Sequence, residues 1–131
     1  MLLSTALIVA VSDSALADEF ACEGLVPPGK RMICSGFEPN WAVEFTCSGK
    51  GMNANFIDAF SGDDIQTTPG TVTFSSIDPW TFETSHPVKG SIASTPGGCT
   101  DPSDAVRDFT ITPTAVPGLS GPFFPFCCRV Q

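Results

Sequence analysis

Apolar and polar residues alternate along most of this chain. Between residues 41 and 47, Trp41, Val43 and Phe45 fall on one side and Ala42, Glu44 and Thr46 on the other, the period-two pattern of a half-buried strand. Met52, Ala54 and Phe56 share a face in the next run, across the turn Ser48-Gly49-Lys50-Gly51. Residues 71–75 and 80–84 alternate on either side of Asp78-Pro79, and residues 88–94, 109–112 and 123–130 complete the series. Turn chemistry separates the runs at Ser61-Gly62-Asp63-Asp64, Thr68-Pro69-Gly70, Thr95-Pro96-Gly97-Gly98 and Pro117-Gly118. Pro or Gly interrupts nearly every window long enough for a helix. The one candidate helical turn covers residues 101–106, where Asp101 could cap and Pro102 takes the first helical position. The pattern predicts an all-β domain of seven to eight short strands, a small antiparallel β-barrel or, alternatively, a β-sandwich.

The amino-terminal end reads differently. Residues 2–11 are apolar apart from Ser4 and Thr5, about half of the ~20 residues that span a bilayer. The stretch ends in Ala15-Leu16-Ala17, a small-x-small signal-peptidase pattern. The expectation is a leader, residues 1–17, cleaved after Ala17, and a single domain, residues 18–131, in the periplasm or secreted. No Lys or Arg precedes the apolar run, and the competing reading is a buried terminal strand or helix. Asp18 and Glu19, just before Cys22, argue against a lipidated cysteine. No other apolar stretch is long enough to predict a transmembrane span.

Six cysteines, Cys22, Cys34, Cys47, Cys99, Cys127 and Cys128, all follow Ala17. An even count in a small exported chain predicts a disulfide framework. There is no C-x-x-C pair and only one histidine, so neither a zinc site nor another metal or cofactor is expected. Adjacent strand residues face opposite ways, so Cys127 and Cys128 should bond elsewhere rather than to each other. The preferred pairing joins Cys34 and Cys99 to the Cys127–Cys128 pair, in either order, and leaves Cys22 with Cys47.

Charge and side-chain chemistry narrow the function. Lys and Arg number 6 against 14 Asp and Glu, a net charge of −8. That balance argues against nucleic acid and anionic lipid as partners and suits a basic protein. His86 lies in the turn Ser85-His86-Pro87 and reads as exposed, with no Gly-x-Ser-x-Gly elbow to recruit it. Asp63-Asp64, Asp101 and Asp104 read as solvated turn acids. Glu38 stands near Trp41, where desolvation could raise its pKa for acid–base work, or where it could simply pin the strand start through backbone amides. No residue is assigned a catalytic role; a hydrolase using Glu38 with Asp101 or Asp104 is the weakest reading.

Three short segments carry a resemblance. Cys34-Ser35-Gly36-Phe37-Glu38-Pro39-Asn40-Trp41, Cys99-Thr100-Asp101-Pro102-Ser103-Asp104 and Phe126-Cys127-Cys128-Arg129 occur in the order of three family motifs. These are Gly-x-Glu-Pro-Phe-Trp, Cys-Ser-Asp-Gly-Met-Ser-Asp and a terminal Gly-Cys-Cys-Arg. They belong to uncharacterised bacterial envelope proteins described as membrane proteins or lipoproteins, of which this chain resembles a divergent member. Asn40 and Phe126 replace the family's Phe and Gly, and the middle segment lacks Gly-Met and is one residue shorter. The family-motif positions here are Gly36, Glu38, Pro39, Trp41, Asp101, Ser103, Asp104 and Arg129. The family is similar in size and strand pattern to small periplasmic β-barrels, including inhibitors of c-type lysozyme that insert a Ser-Gly-rich loop into the enzyme's cleft; Phe60-Ser61-Gly62-Asp63-Asp64 is the candidate loop here. What the resemblance implies is a non-catalytic, inhibitor-like module for a basic protein such as lysozyme. The alternative is a carrier of a small apolar ligand, using some of the 11 Phe and 2 Trp.

Overall fold

In the computed structural model, residues 13–36, 41–48, 51–58 and 65–131 are described. Helix α1 (Asp13–Phe20) and a π-helical turn (Ala21–Leu25) precede nine strands: β1 (Arg31–Gly36), β2 (Trp41–Ser48), β3 (Gly51–Asp58), β4 (Gln66–Thr68), β5 (Val72–Phe74), β6 (Trp80–Thr84), β7 (Lys89–Thr100), β8 (Val106–Ala115) and β9 (Phe126–Val130). All pair antiparallel in one sheet, in the order β4-β3-β2-β1-β9-β8-β7-β6-β5. The C-terminal strand thus joins two meandering halves, β1–β4 and β5–β8.

The ends of that order, β4 and β5, are consecutive in the chain. Among the described residues, the isolated bridge Asn53↔Thr71 links the sheet across them, with Ala54 N–H donating to Gly70 O (3.0 Å) beside it. The sheet is therefore not a closed barrel. Helix α1 lies against this seam, and the Asp18 carboxylate accepts the Phe74 N–H (2.6 Å), occupying an edge donor of β5. The helix also spans the expected cleavage point, with Ala17 and Ala21 wholly buried.

The alternation sorts side chains as expected in the clearest strands. Trp41, Val43 and Phe45 of β2 and Met52, Ala54 and Phe56 of β3 face inward, as do Val72 and Phe74 of β5 and Trp80 and Phe82 of β6. Met32, Val88, Ile92 and Ile111 belong to the same cluster. Within it Phe45 is fully buried, 5.4 Å edge-on from Phe82 and 6.3 Å from Phe74 between ring centroids. Fully burying such a side chain contributes roughly 1.5–3 kcal/mol. Thr84 is the one buried polar residue among those described. Its hydroxyl accepts the Val88 N–H (3.0 Å) and turns the chain from β6 toward β7.

Several expectations need correcting. Among the described residues there are nine strands rather than seven or eight. Strands β1 and β4 carry no alternating apolar pattern strong enough to announce them; β4, Gln66-Thr67-Thr68, is exposed throughout. The expectation of no helix fails at α1, whose residues 13–17 read as the end of a leader and 18–20 as the start of the domain. Thr95-Pro96-Gly97-Gly98 is not a turn: β7 runs through it, and a register shift between Ser94 and Cys99 absorbs the irregularity. Residues 101–106 form no helical turn but the reversal between β7 and β8, closed by Asp101 N–H to Ala105 O (2.9 Å), with Asp104 at φ 65°. His86 is half-buried rather than exposed: its Nε2–H donates to Ala54 O (3.1 Å) and its ring lies 5.9 Å from Phe56. Among the described residues, no helix is long and apolar enough to cross a membrane.

The cysteines pair as preferred: Cys22–Cys47, Cys34–Cys128 and Cys99–Cys127. Strand β9 is stapled on both flanks, to β1 through Cys128 and to β7 through Cys127. The bridges close separations of 94 and 28 residues, and loops of that size stabilise by roughly 3–5 kcal/mol each in the chain-entropy account. Three disulfides fit an exported protein.

Candidate functional site

Strand β9 begins only at Phe126. Upstream of it, Pro122 and Pro125 have no N–H to donate to a ladder, so the chain leaves the sheet and runs outside it. Strand β8 pairs with β9 only from Phe109 to Ile111 yet continues to Ala115 along β7. An open cleft of about 700 Å³ results, between the bulged end of β7, the outer part of β8 and the segment entering β9. Its apolar lining comes chiefly from Trp41, Pro113, Leu119, Phe123 and Phe126, and Phe124 stands at its rim, 76% exposed.

Trp41 anchors the cleft floor. It is buried, stacks on Phe56 at 6.2 Å and meets the edge of Phe126 at 5.2 Å. Phe126, from the third of the short segments, thus packs against Trp41 of the first. Gly36 ends β1 directly opposite Trp41 in the β1–β2 ladder. Glu38 and Pro39 lie outside the described residues, as do the Ser61–Asp64 turn and the whole candidate inhibitor loop from Phe60 to Asp64.

Asp101 forms one wall, and its carboxylate is fully engaged. Oδ1 accepts Ser103 Oγ–H (2.6 Å), Ser103 N–H (2.9 Å) and Ala105 N–H (3.0 Å), while Oδ2 accepts Arg107 Nε–H (3.0 Å). The Ser103 hydroxyl and the Arg107 guanidinium, with the two amides, hold its pKa at about 2, below the ordinary 3.8. A carboxylate so held is ionised near neutral pH and has no proton to give. It organises the β7–β8 turn, with Ser103 as its partner and Asp104 exposed at the turn's left-handed position.

The three motif segments therefore converge, but not completely. Trp41, Cys99, Asp101, Phe126 and Cys127 line the cleft. Arg129 does not: it is exposed on β9 opposite Ile33 and borders a separate recess of about 330 Å³ with Arg107. Sequence reasoning missed Leu119, Phe123 and Phe124, having placed residues 123–125 in a strand. The paired prolines 122 and 125 around two phenylalanines were the available signal.

Among the described residues, no group of three His, Cys, Asp or Glu side chains is placed to hold a metal ion. Compared with known proteins, the chain matches no family model, no curated protein and no solved structure.

Proposed function

We propose that this is an exported, non-catalytic binding module of inhibitor-like type that engages a basic protein through the cleft beside β9. The observation that carries the proposal is the open apolar cleft with Phe124 at its rim, on a chain of net charge −8. An exposed aromatic next to a concave apolar surface is a common form of interface anchor, and opposite charge speeds and orients the encounter. In this reading the module works in the periplasm or outside the cell, and its sheet acts as a barrel drawn together at the β3–β5 seam. The family resemblance makes a c-type lysozyme the first partner to try.

The test mixes the oxidised full chain with a c-type lysozyme and follows cell-wall lysis. Inhibition is expected, weakened about tenfold or more in Phe124→Ala. Undiminished lysis at excess protein would remove the lysozyme version. The second reading, a carrier of a small apolar ligand, draws on one observation: about 700 Å³ lies within the roughly 300–1,000 Å³ of small-molecule pockets. With Phe45, Phe74 and Phe82 filling the inner face, the cleft is where such a ligand would sit. Native mass spectrometry would find it retained there and lost with Phe123→Ser.

A further inference from the structure

The adjacent cysteines of β9 live in different surroundings. Cys128 points inward and, with Cys34, is almost wholly buried in the apolar core, at 1% and 0% exposure. Cys127 points the other way, and both it and its partner Cys99 line the open cleft, half-buried. The third bridge is half-buried as well, but Cys22 packs against the core cluster and neither Cys22 nor Cys47 borders the cleft.

From this geometry we infer that Cys99–Cys127 is a thiol-exchange site, whose reactant is a dithiol entering the cleft. Exchange requires a thiolate to approach one sulfur of the bridge, so access decides which bridge reacts. A dithiol's thiolate attacks a Sγ of the bridge, the Cys99–Cys127 bond breaks, and a mixed disulfide forms with one cysteine while the other leaves as a thiolate. The reagent's second thiol then displaces the first cysteine. The dithiol ends as a disulfide, two electrons having passed to Cys99 and Cys127, which take up two protons to become thiols.

The reaction stops there. A free Cys127 thiolate is one residue from the Cys34–Cys128 bridge, but strand alternation places the two sulfurs on opposite faces of β9. Cys127 therefore cannot relay the exchange into the core. Nor does opening the bridge undo the local turn. Gly97 N–H still donates to the Asp108 carboxylate (2.9 Å), and Asp101 keeps its hydrogen bonds to Ser103, Ala105 and Arg107. What is released is the tie between the bulged end of β7 and the start of β9, both of which border the cleft. This inference stands on the bridge's position alone and does not depend on which partner the cleft takes.

The experiment treats the oxidised full chain with graded dithiothreitol under native conditions, traps thiols with iodoacetamide and maps the labelled cysteines by mass spectrometry. Label on Cys99 and Cys127 should lead label on the other four by at least tenfold, with a plateau at two thiols per chain. Earlier labelling of Cys22 and Cys47, or simultaneous labelling of all six, overturns the inference. Early labelling of Cys34 would show that exchange does pass along β9, and overturns it too. Chain unfolded in urea serves as the control, where the lead should disappear.

Discussion

The two longest hairpins are built from the same kind of alternating strand but behave differently. Strands β2 and β3 pair residue for residue from Trp41↔Asp58 to Ser48↔Gly51 without a break. Three alternate side chains of each enter the core. Strands β7 and β8 are longer, yet their ladder shifts register twice, at Lys89/Gly90 and between Ser94 and Cys99. Beyond Gly90 and Ile92, the far end of β7 is largely exposed and forms the cleft wall. The contrast teaches that the regular hairpin supplies the packing, and the irregular one, free of that duty past its bulge, supplies the concave surface.

The comparison can be broken first in the regular hairpin. Phe45→Ala should cost about 3–5 kcal/mol, because Phe45 is fully buried between Phe74 and Phe82. Urea unfolding of the oxidised chain measures it; a loss under about 1 kcal/mol would mean that β2 does not lie at the core's centre.

A smaller effect is expected at the irregular hairpin's first shift. A Cβ on Gly90 would sit 2.5 Å from Thr112 O and 2.9 Å from the Pro113 Cα, both backbone atoms of β8. Gly90→Ala should therefore force the strands apart and cost about 1–3 kcal/mol. Neutral behaviour in the same unfolding assay would show that β7 and β8 do not approach so closely at this shift.

The smallest effect is a pH dependence at the turn. The folded pKa of Asp101 is held at about 2 against an ordinary 3.8. Its stabilisation is therefore complete above the ordinary value and is lost as pH falls through about 2. Melting temperatures of the natural chain and Asp101→Asn should differ at pH 6 and converge between pH 4 and pH 2. A difference that stays constant over that range would show that the carboxylate's charge does not hold the turn.

How legible each region was follows from the same contrast. In β2, β3, β5 and β6, large apolar side chains at every second position report their own orientation, so the buried face could be read directly. The pairing of Cys127 and Cys128 with different partners was legible for the same reason, since neighbours on a strand face apart. Helix α1 was not, because Ala15-Leu16-Ala17 suits both a leader's end and a helix packed on a seam. Pro96-Gly97-Gly98 has turn chemistry, and only the hydrogen bonding of β7 to β8 on both sides of it makes it a bulge. Phe123 was not legible as a cleft residue: the apolar run continues unbroken in type into β9, and only the missing N–H groups of Pro122 and Pro125 mark where the ladder can begin.

The sequence by itself determined which residues of β2, β3, β5 and β6 face the core, that all six cysteines are covalent structure, and that the chain is acidic. Those properties depend on side-chain type and a two-residue period, which are local. Only the tertiary structure decided that β9 lies between β1 and β8, that one of its cysteines is sealed in the core while the next borders a cleft, and that Trp41 and Phe126 meet. Strand neighbours are chosen by backbone hydrogen bonds between segments up to about a hundred residues apart. A period of two says which way a side chain points, not which strand it will find beside it.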